Sequence, residues 1–305
     1  MDKNGKSLPH YIDTAIHIFF KGLIRARDID VYFVSLHHKI KLDMNFSALG
    51  YWDDNMLKTV QGASGILMPK YFSPTRYRQI LAINQNHFPN LLPRFSFRGK
   101  ANQTRLFQEY NIPHPKTLIF KSPQNALDKM KNEDLPLALP FVLKGNTGAG
   151  GSSVYPIRTT SEYRQGLKNL PPKESILVQE WVDNQGRDLR VVKVGQVLFS
   201  YFRLSDGAFH NNLARGGKID YESDPEEQEL GKQLVDNVAQ KTGIDIAGFD
   251  VMFPKDHPPL IIEINFLFGT KGLGGYKGYQ FMLYKAINKW IKGLGGNYPY
   301  LPWPR

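Results

Sequence analysis

The stretch PFVLKGNTGAGGSSV, residues 140–154, decides how the rest of the chain is read. Phe141, Val142 and Leu143 form a short apolar run that predicts a buried strand, and the run ends in Lys144. A loop with Gly145, Gly148, Gly150, Gly151, Ser152 and Ser153 follows. Glycines let main-chain N–H groups turn toward a ligand and approach it closely, which suits a polyphosphate. Lys144 would add a cation to the same oxygens. Glycine-rich turns between strands are also common without any ligand, so the loop alone does not define a site. A P-loop is excluded, because there the lysine follows the glycines and here it precedes them.

With 305 residues, 41% of them hydrophobic, the chain can build one large domain or two to three small ones around a real core. No apolar run approaches the roughly 20 residues that a membrane helix requires. The opening MDKNGKSLPHYID is polar and predicts no secretory leader. The absence of cysteine excludes disulfides and thiolate metal sites and fits a cytoplasmic protein. A net charge of +11 reads either as a soluble basic surface or as a surface for an anionic partner. The Lys and Arg residues are scattered rather than gathered in blocks, which favours a small phosphorylated molecule over nucleic acid.

Residues 1–98 read as a first, open α/β domain. A helix is expected over Tyr11–Arg27, strands over Ile29–Val34 and Ser64–Met68, and a helix from Pro74 to Leu81. His37 and His38 follow the first strand; adjacent residues of a strand face opposite ways, so they are read as surface histidines rather than a metal pair. Pro89–Arg98 reads as a connector. Beyond it come a helix at Lys100–Tyr110, a strand at Lys116–Phe120, a helix after Ser122 and the Lys144 strand. Ser161–Leu170 then predicts a helix and Ser175–Val182 a strand. Asp188–Gly195 and Gln196–Arg203 make a hairpin around Val194-Gly195-Gln196. A charged amphipathic helix at Pro225–Thr242, strands at Ile246–Phe253 and Leu260–Asn265, a closing helix at Gly278–Ile291 and an irregular tail over 293–305 complete the chain.

A second constellation lies near the C-terminus. Glu263 and Asn265 are two apart on an apolar strand and therefore share a face. A hairpin-like return would set Asp250 beside Glu263. Asp, Glu and Asn are hard oxygen ligands, and so few of them suit Mg²⁺, which keeps waters and takes further ligands from phosphates. A strand-end Glu and Asn can equally cap a neighbouring loop. A glycine-rich anion loop and an Mg²⁺-type cluster in one chain support each other, because a nucleoside triphosphate needs both.

The order Lys100, Lys144 with its glycine loop, Gln179-Glu180-Trp181-Val182, Asp188-Leu189-Arg190, Asp250 and Glu263-Ile264-Asn265 resembles an ATP-grasp ligase of the glutathione synthetase and ribosomal-protein glutamate ligase type. HNNLARGG at 210–217 is similar to an Asn-Leu-x-Arg-Gly-Gly stretch of that branch. The resemblance covers about residues 98–292. It implies an α/β (α+β) ATP-grasp domain over 99–292, with a small lid subdomain at about 113–180 and a larger one at about 181–292. ATP and Mg²⁺ (or Mn²⁺) would be its cofactors.

By the same resemblance, Lys100 and Lys144 would contact phosphates, and Gly148, Gly150, Gly151, Ser152 and Ser153 would close over them. Glu180 and Val182 would form the adenine hinge, flanked by Gln179, and Asp188 would lie at the ribose side, with Trp181 and Asn212 further nucleotide contacts. Asp250, Glu263 and Asn265 would hold the metal. Arg203 and Arg215 would stabilise the transferred phosphoryl group. The reaction implied joins a small-molecule or peptide carboxylate to an amine acceptor through an acyl phosphate. A kinase of the same fold, or a nucleotide-binding protein without turnover, is the alternative. A homo-oligomer is compatible with the sequence. Where many members continue with a small residue, Pro and Gly, this chain has Phe266-Leu267-Phe268-Gly269-Thr270, so acceptor contacts do not carry over. Gly272, Gly274, Gly275 and Gly278 do not form a dinucleotide fingerprint, since the last interval is one residue too long.

Overall fold

The computed structural model describes residues 31–38, 40, 42–48, 52–130, 134–148, 152–204, 217–255 and 257–296. The helix expected over Tyr11–Arg27, Gly150, Gly151, Asn212, Arg215 and the tail beyond 296 lie outside them. The chain divides into two compact units, residues 1–91 with 281–305 and residues 92–280.

In the first unit, β1 (Phe33–Ser35), β2 (Met44–Asn45), β3 (Gly65–Leu67) and β4 (His87–Phe88) form a parallel sheet in the order β2-β1-β3-β4. Helices α1 (Asp54–Gly62) and α2 (Pro74–Ile83) connect its strands. Each helix starts on a side-chain cap, Asp53 accepting from the Met56 N–H and Ser73 from the Arg76 N–H, which satisfies donors that the first turn leaves open. Parallel strands joined by helices make this an open α/β layer. His37 and His38 come after β1 ends, so they escape strand alternation and their rings stack at 4.8 Å.

The second unit opens with α3 (Leu92–Ser96), a short helix inside the stretch read as a plain connector. Then come α4 (Lys100–Glu109), β5 (Thr117–Phe120), α5 (Pro123–Asp128), β6 (Phe141–Gly145), β7 (Val154–Ile157), α6 (Thr160–Lys168) and β8 (Ile176–Glu180). These four strands pair antiparallel in the order β5-β8-β6-β7. One face packs Phe141, Leu143, Ile176 and Val178 against Tyr163 and Leu167 of α6. The chain continues through β9 (Arg187–Val194), β10 (Val197–Leu204), β11 (Lys218–Asp220), α7 (Pro225–Thr242), β12 (Ile246–Met252), β13 (Leu260–Asn265) and α8 (Gly275–Gly293). Its second antiparallel sheet has the order β11-β10-β9-β12-β13.

Alternation gives this larger sheet one apolar face and one that carries its charged side chains. Leu189, Val191, Phe202, Phe249, Val251 and Ile264 pack with Val235 and Val238 of α7 and Leu106 and Phe107 of α4. Asp188, Arg190, Arg203, Asp250, Glu263 and Asn265 are left on the opposite face. A bulge after Asp250 pairs Val251 with Ile261, so Ile261 stays in the core while Glu263 stays opposite Asp250.

Helix α4 ties the two sheets together. Gln103 both donates to the Ile264 carbonyl (2.8 Å) and accepts from its N–H (2.9 Å), fixing α4 to β13. At the other sheet, Asn146 accepts from the main-chain N–H of Lys100 at 3.1 Å and, through its side chain, from Ala101 at 2.9 Å. The Asn146 side chain can lie there only because residue 99 is glycine: φ is +83°, and a Cβ would stand 2.7 Å from Asn146 Oδ1. Gly99→Ala should therefore cost about 1–3 kcal/mol through backbone strain and a displaced Asn146. Thermal melting checks this, and an unchanged midpoint would mean that Asn146 is not what seats α4.

Candidate active site

Lys100 and Lys144 come from different elements and converge near Glu263. Lys100, at the start of α4, donates to the Gly148 carbonyl (3.2 Å) and faces Glu263 at 3.4 Å. Lys144, on β6, donates to Gln179 Oε1 at 2.6 Å. Gln179 is itself held by donating to Thr117 Oγ1 at 2.8 Å, and Thr117 donates to the Pro115 carbonyl at 2.7 Å. That chain fixes the amide so that its oxygen, not its nitrogen, meets the lysine. Burial lowers the Lys144 pKa to about 8; Glu263 and Asp250 oppose the shift and Lys100 adds to it. Two lysines and two carboxylates thus share one electrostatic site.

The edges of the glycine loop are built as a cradle. Gly148 has φ of +116°, Ser153 Oγ donates to the Thr147 carbonyl at 2.6 Å, and the Gly145 N–H donates to the Ser153 carbonyl at 2.8 Å. Thr147 donates to Glu174 Oε2 at 2.8 Å. The residues expected to form the adenine hinge lie where β8 ends. The Glu180 N–H donates to the Lys116 carbonyl (2.9 Å) and its carboxylate accepts from the Lys116 N–H (2.6 Å), while Trp181 and Val182 begin the connection to β9. The Arg158 guanidinium lies 5.8 Å from the centre of the Trp181 ring.

On the larger sheet, Tyr201, Arg190, Asp250 and Glu263 stand in successive register across β10, β9, β12 and β13. Arg203 and Asp188 face each other one step along β10 and β9. Arg203 grips Asp188 with two parallel bonds (2.6 and 2.8 Å) and also reaches Asp250 at 3.1 Å. Arg190 Nε donates to the same Asp250 oxygen at 2.5 Å, and Asn265 Nδ2 donates to the other at 3.2 Å. Asp188, Arg190, Arg203 and Asp250 are all buried. Burial pushes both carboxyls up. Asp250, against two guanidiniums, nonetheless ends below its ordinary value, whereas Asp188, held by Arg203 and repelled by Asp250, ends above. Burial pulls Arg203 down, and Asp250 and Asp188 outweigh it, so its pKa is raised.

The oxygen set fits a divalent cation only partly enclosed by protein. Glu263 stands directly opposite Asp250, and Asn265 bonds to Asp250 through its nitrogen, which leaves the amide oxygen for another partner. Among the described residues no three His, Cys, Asp or Glu gather in metal-binding geometry. Two carboxylates and an amide match an ion that completes its shell with phosphate oxygens and water.

Of the residues singled out from the sequence, Lys100, Lys144, Gly148, Gln179, Asp188, Arg203, Asp250, Glu263 and Asn265 fall within this connected set. Ser152, Ser153, Glu180, Trp181 and Val182 border it. Arg190 was missed as a site residue, although its place two residues after Asp188 on a strand puts it on the same face. Asn146 and Gln103, which seat α4, carried no sequence signal of that role.

A lysine-bearing helix joins two antiparallel sheets, with the described edges of a glycine-rich segment on one and paired carboxylates on the other. Residues 97–287 match the RimK-like ATP-grasp domain, and the chain belongs to that family. It is 30% identical over 185 residues to a probable alpha-L-glutamate ligase of Citrobacter koseri, a match covering 58% of this chain and 58% of that one. It is 31% identical over 170 residues to human N-acetylaspartylglutamate synthase A, covering 54% of this chain and 42% of that protein. The chain thus spans about half the length of these curated relatives. Among solved structures, VanG D-Ala:D-Ser ligase of Enterococcus faecalis superposes with a TM-score of 0.55 at 15% identity, covering 75% of this chain and 73% of that one. This likeness concerns the fold. No helix among the described residues is long and apolar enough to cross a membrane.

Proposed function

We propose that this protein is an ATP-dependent carboxylate–amine ligase. The observation that carries the reading is the convergence of Lys100, Lys144 and the Asp250–Glu263 pair at one electrostatic site. Lys144 and Lys100 neutralise phosphate oxygens, and the N–H groups of the loop edges add donors. Asp250, Glu263 and Asn265 would hold Mg²⁺, which supplies charge neutralisation between phosphates when bound. Arg203 and Arg190 face the charge that grows on the transferred phosphoryl group; because Asp188 and Asp250 fix them in advance, little reorganisation is needed at that moment.

In the first step a carboxylate oxygen of the acid bonds to the γ-phosphorus, and the bond to ADP breaks. In the second the amine nitrogen bonds to the acyl carbon, phosphate leaves with its oxygen, and the amine releases a proton. The names of the relatives make glutamate the first amine to test. The same reading puts the protein in the cytoplasm, where ATP is supplied. Phosphate release should need both an acid and an amine, with one ADP and one phosphate formed per amide. ADP formation with a hydroxyl compound and no free phosphate would make the protein a kinase instead.

A further inference from the structure

Three aromatic side chains stand beside the charged row on the same face of the larger sheet, and neither phosphate binding nor phosphoryl transfer uses them. Phe199 and Tyr201 are two apart on β10, ahead of Arg203, and Tyr221 follows β11. Their ring centres lie 6.0–6.4 Å from one another. Tyr201 is opposite Arg190 in the sheet register. Its ring is fixed from behind by Gly272, where a Cβ would stand 2.1 Å from the ring carbon Cζ. Tyr201 is almost wholly buried, whereas Phe199 is 39% and Tyr221 48% exposed. Large aromatics left open next to two buried guanidiniums are costly unless something covers them.

On the far side of Arg190 stands Phe268, from the run that replaces the small residues, Pro and Gly expected there. A Cβ on Gly248 would lie 3.2 Å from both Arg190 Nη1 and Phe268 Cβ, so Arg190 runs over a glycine between two aromatic side chains. Phe268 is steadied by the edge of Tyr279 at 5.9 Å.

Resting on the ligase reading, we propose that Phe199, Tyr201 and Tyr221 form a selectivity wall, and that the acid substrate is a small carboxylic acid bearing an aromatic side group. The acid's carboxylate has to lie by Arg190 and Arg203 to meet the γ-phosphate. Strands are spaced about 4.8 Å apart, so the wall begins one strand from Arg190 and ends two strands away, the reach of a benzyl group. A ring placed there would complete offset or edge contacts with Phe199 and Tyr221. An acidic side chain would gain nothing from that surface.

The test is binding, measured apart from turnover. Calorimetry on the full chain with a non-hydrolysable ATP analogue and Mg²⁺ compares N-acetylphenylalanine with N-acetylaspartate. The phenyl probe should bind about tenfold more tightly, and Phe199→Ala with Tyr221→Ala should remove that preference while leaving affinity for the analogue unchanged. Both residues are partly exposed, so the double variant should fold; Gly272→Ala, which displaces Tyr201, should give the same loss. Equal affinities, a preference for the aspartate probe, or a preference that survives the double variant would overturn the wall. If the phenyl preference holds but no acid–amine pair releases phosphate, the ligase reading fails and the wall stands. If small aliphatic acids turn over without any phenyl preference, the reverse is true.

Discussion

Asp250→Ala should lower stability by about 3–5 kcal/mol and abolish turnover. The side chain is buried and takes Arg190 Nε at 2.5 Å, Arg203 at 3.1 Å and Asn265 at 3.2 Å. Removing it leaves two guanidiniums in a low-dielectric cleft with Asp188 as the remaining carboxylate that holds Arg203. A shift in melting temperature on the order of 10 °C is expected. Asp250→Asn keeps the shape and one acceptor, so it should melt much closer to the parent while still losing turnover. Glu229→Ala is the control: that carboxylate is exposed and pairs on the surface with Lys232, so melting should not move. An Asp250→Ala protein that melts with the parent would show that the four-residue network does not support the sheet.

Lys144→Met should weaken ATP binding by on the order of a hundredfold while leaving the fold at least as stable. Burial lowers the Lys144 pKa from 10.5 to about 8, so the folded state favours the uncharged amine. Between those values the unfolded chain binds more protons, and stability from this group rises with pH; below about pH 8 the fold carries the full cost of the buried cation. ATP reverses the preference, because its phosphates need the ammonium form. Affinity should therefore be flat below about pH 8 and fall as pH rises beyond it, by up to about tenfold per unit while a proton must be taken up on binding. Calorimetry across that range checks the sign, and Lys144→Met should show no such fall. A parent protein whose affinity is flat to pH 10 would remove Lys144 from the phosphate site.

Much of this was legible because alternation and end signals are local. Helix α7 runs over Pro225–Thr242 as expected, with Pro in its first turn and Gly243 at φ +68° ending it. Strand β13 occupies Leu260–Asn265, also as expected, since period two alone sends Glu263 and Asn265 to one face. Strand β7 was not foreseen: Val154-Tyr155-Pro156-Ile157 contains a proline, which a sheet tolerates at its edge, and β7 is the edge strand of its sheet. Helix α1 buries only Met56 and Val60, too sparse a stripe to register as a period. The seat of α4 depends on Asn146 and Gln103 meeting main chain far away in sequence, and the double pairing of Asp250 depends on strand order. Neither is written in local pattern.

The central claim is that a carboxylate attacks the γ-phosphate before the amine arrives, and the most direct test follows oxygen. The acid that the binding and turnover screens select is labelled with ¹⁸O in its carboxylate and turned over with ATP and the amine. The released phosphate is then weighed by mass spectrometry. Ligation through an acyl phosphate carries one labelled oxygen from the acid into each phosphate. Unlabelled phosphate alongside amide formation would contradict it, because the carboxylate would then never have bonded to phosphorus.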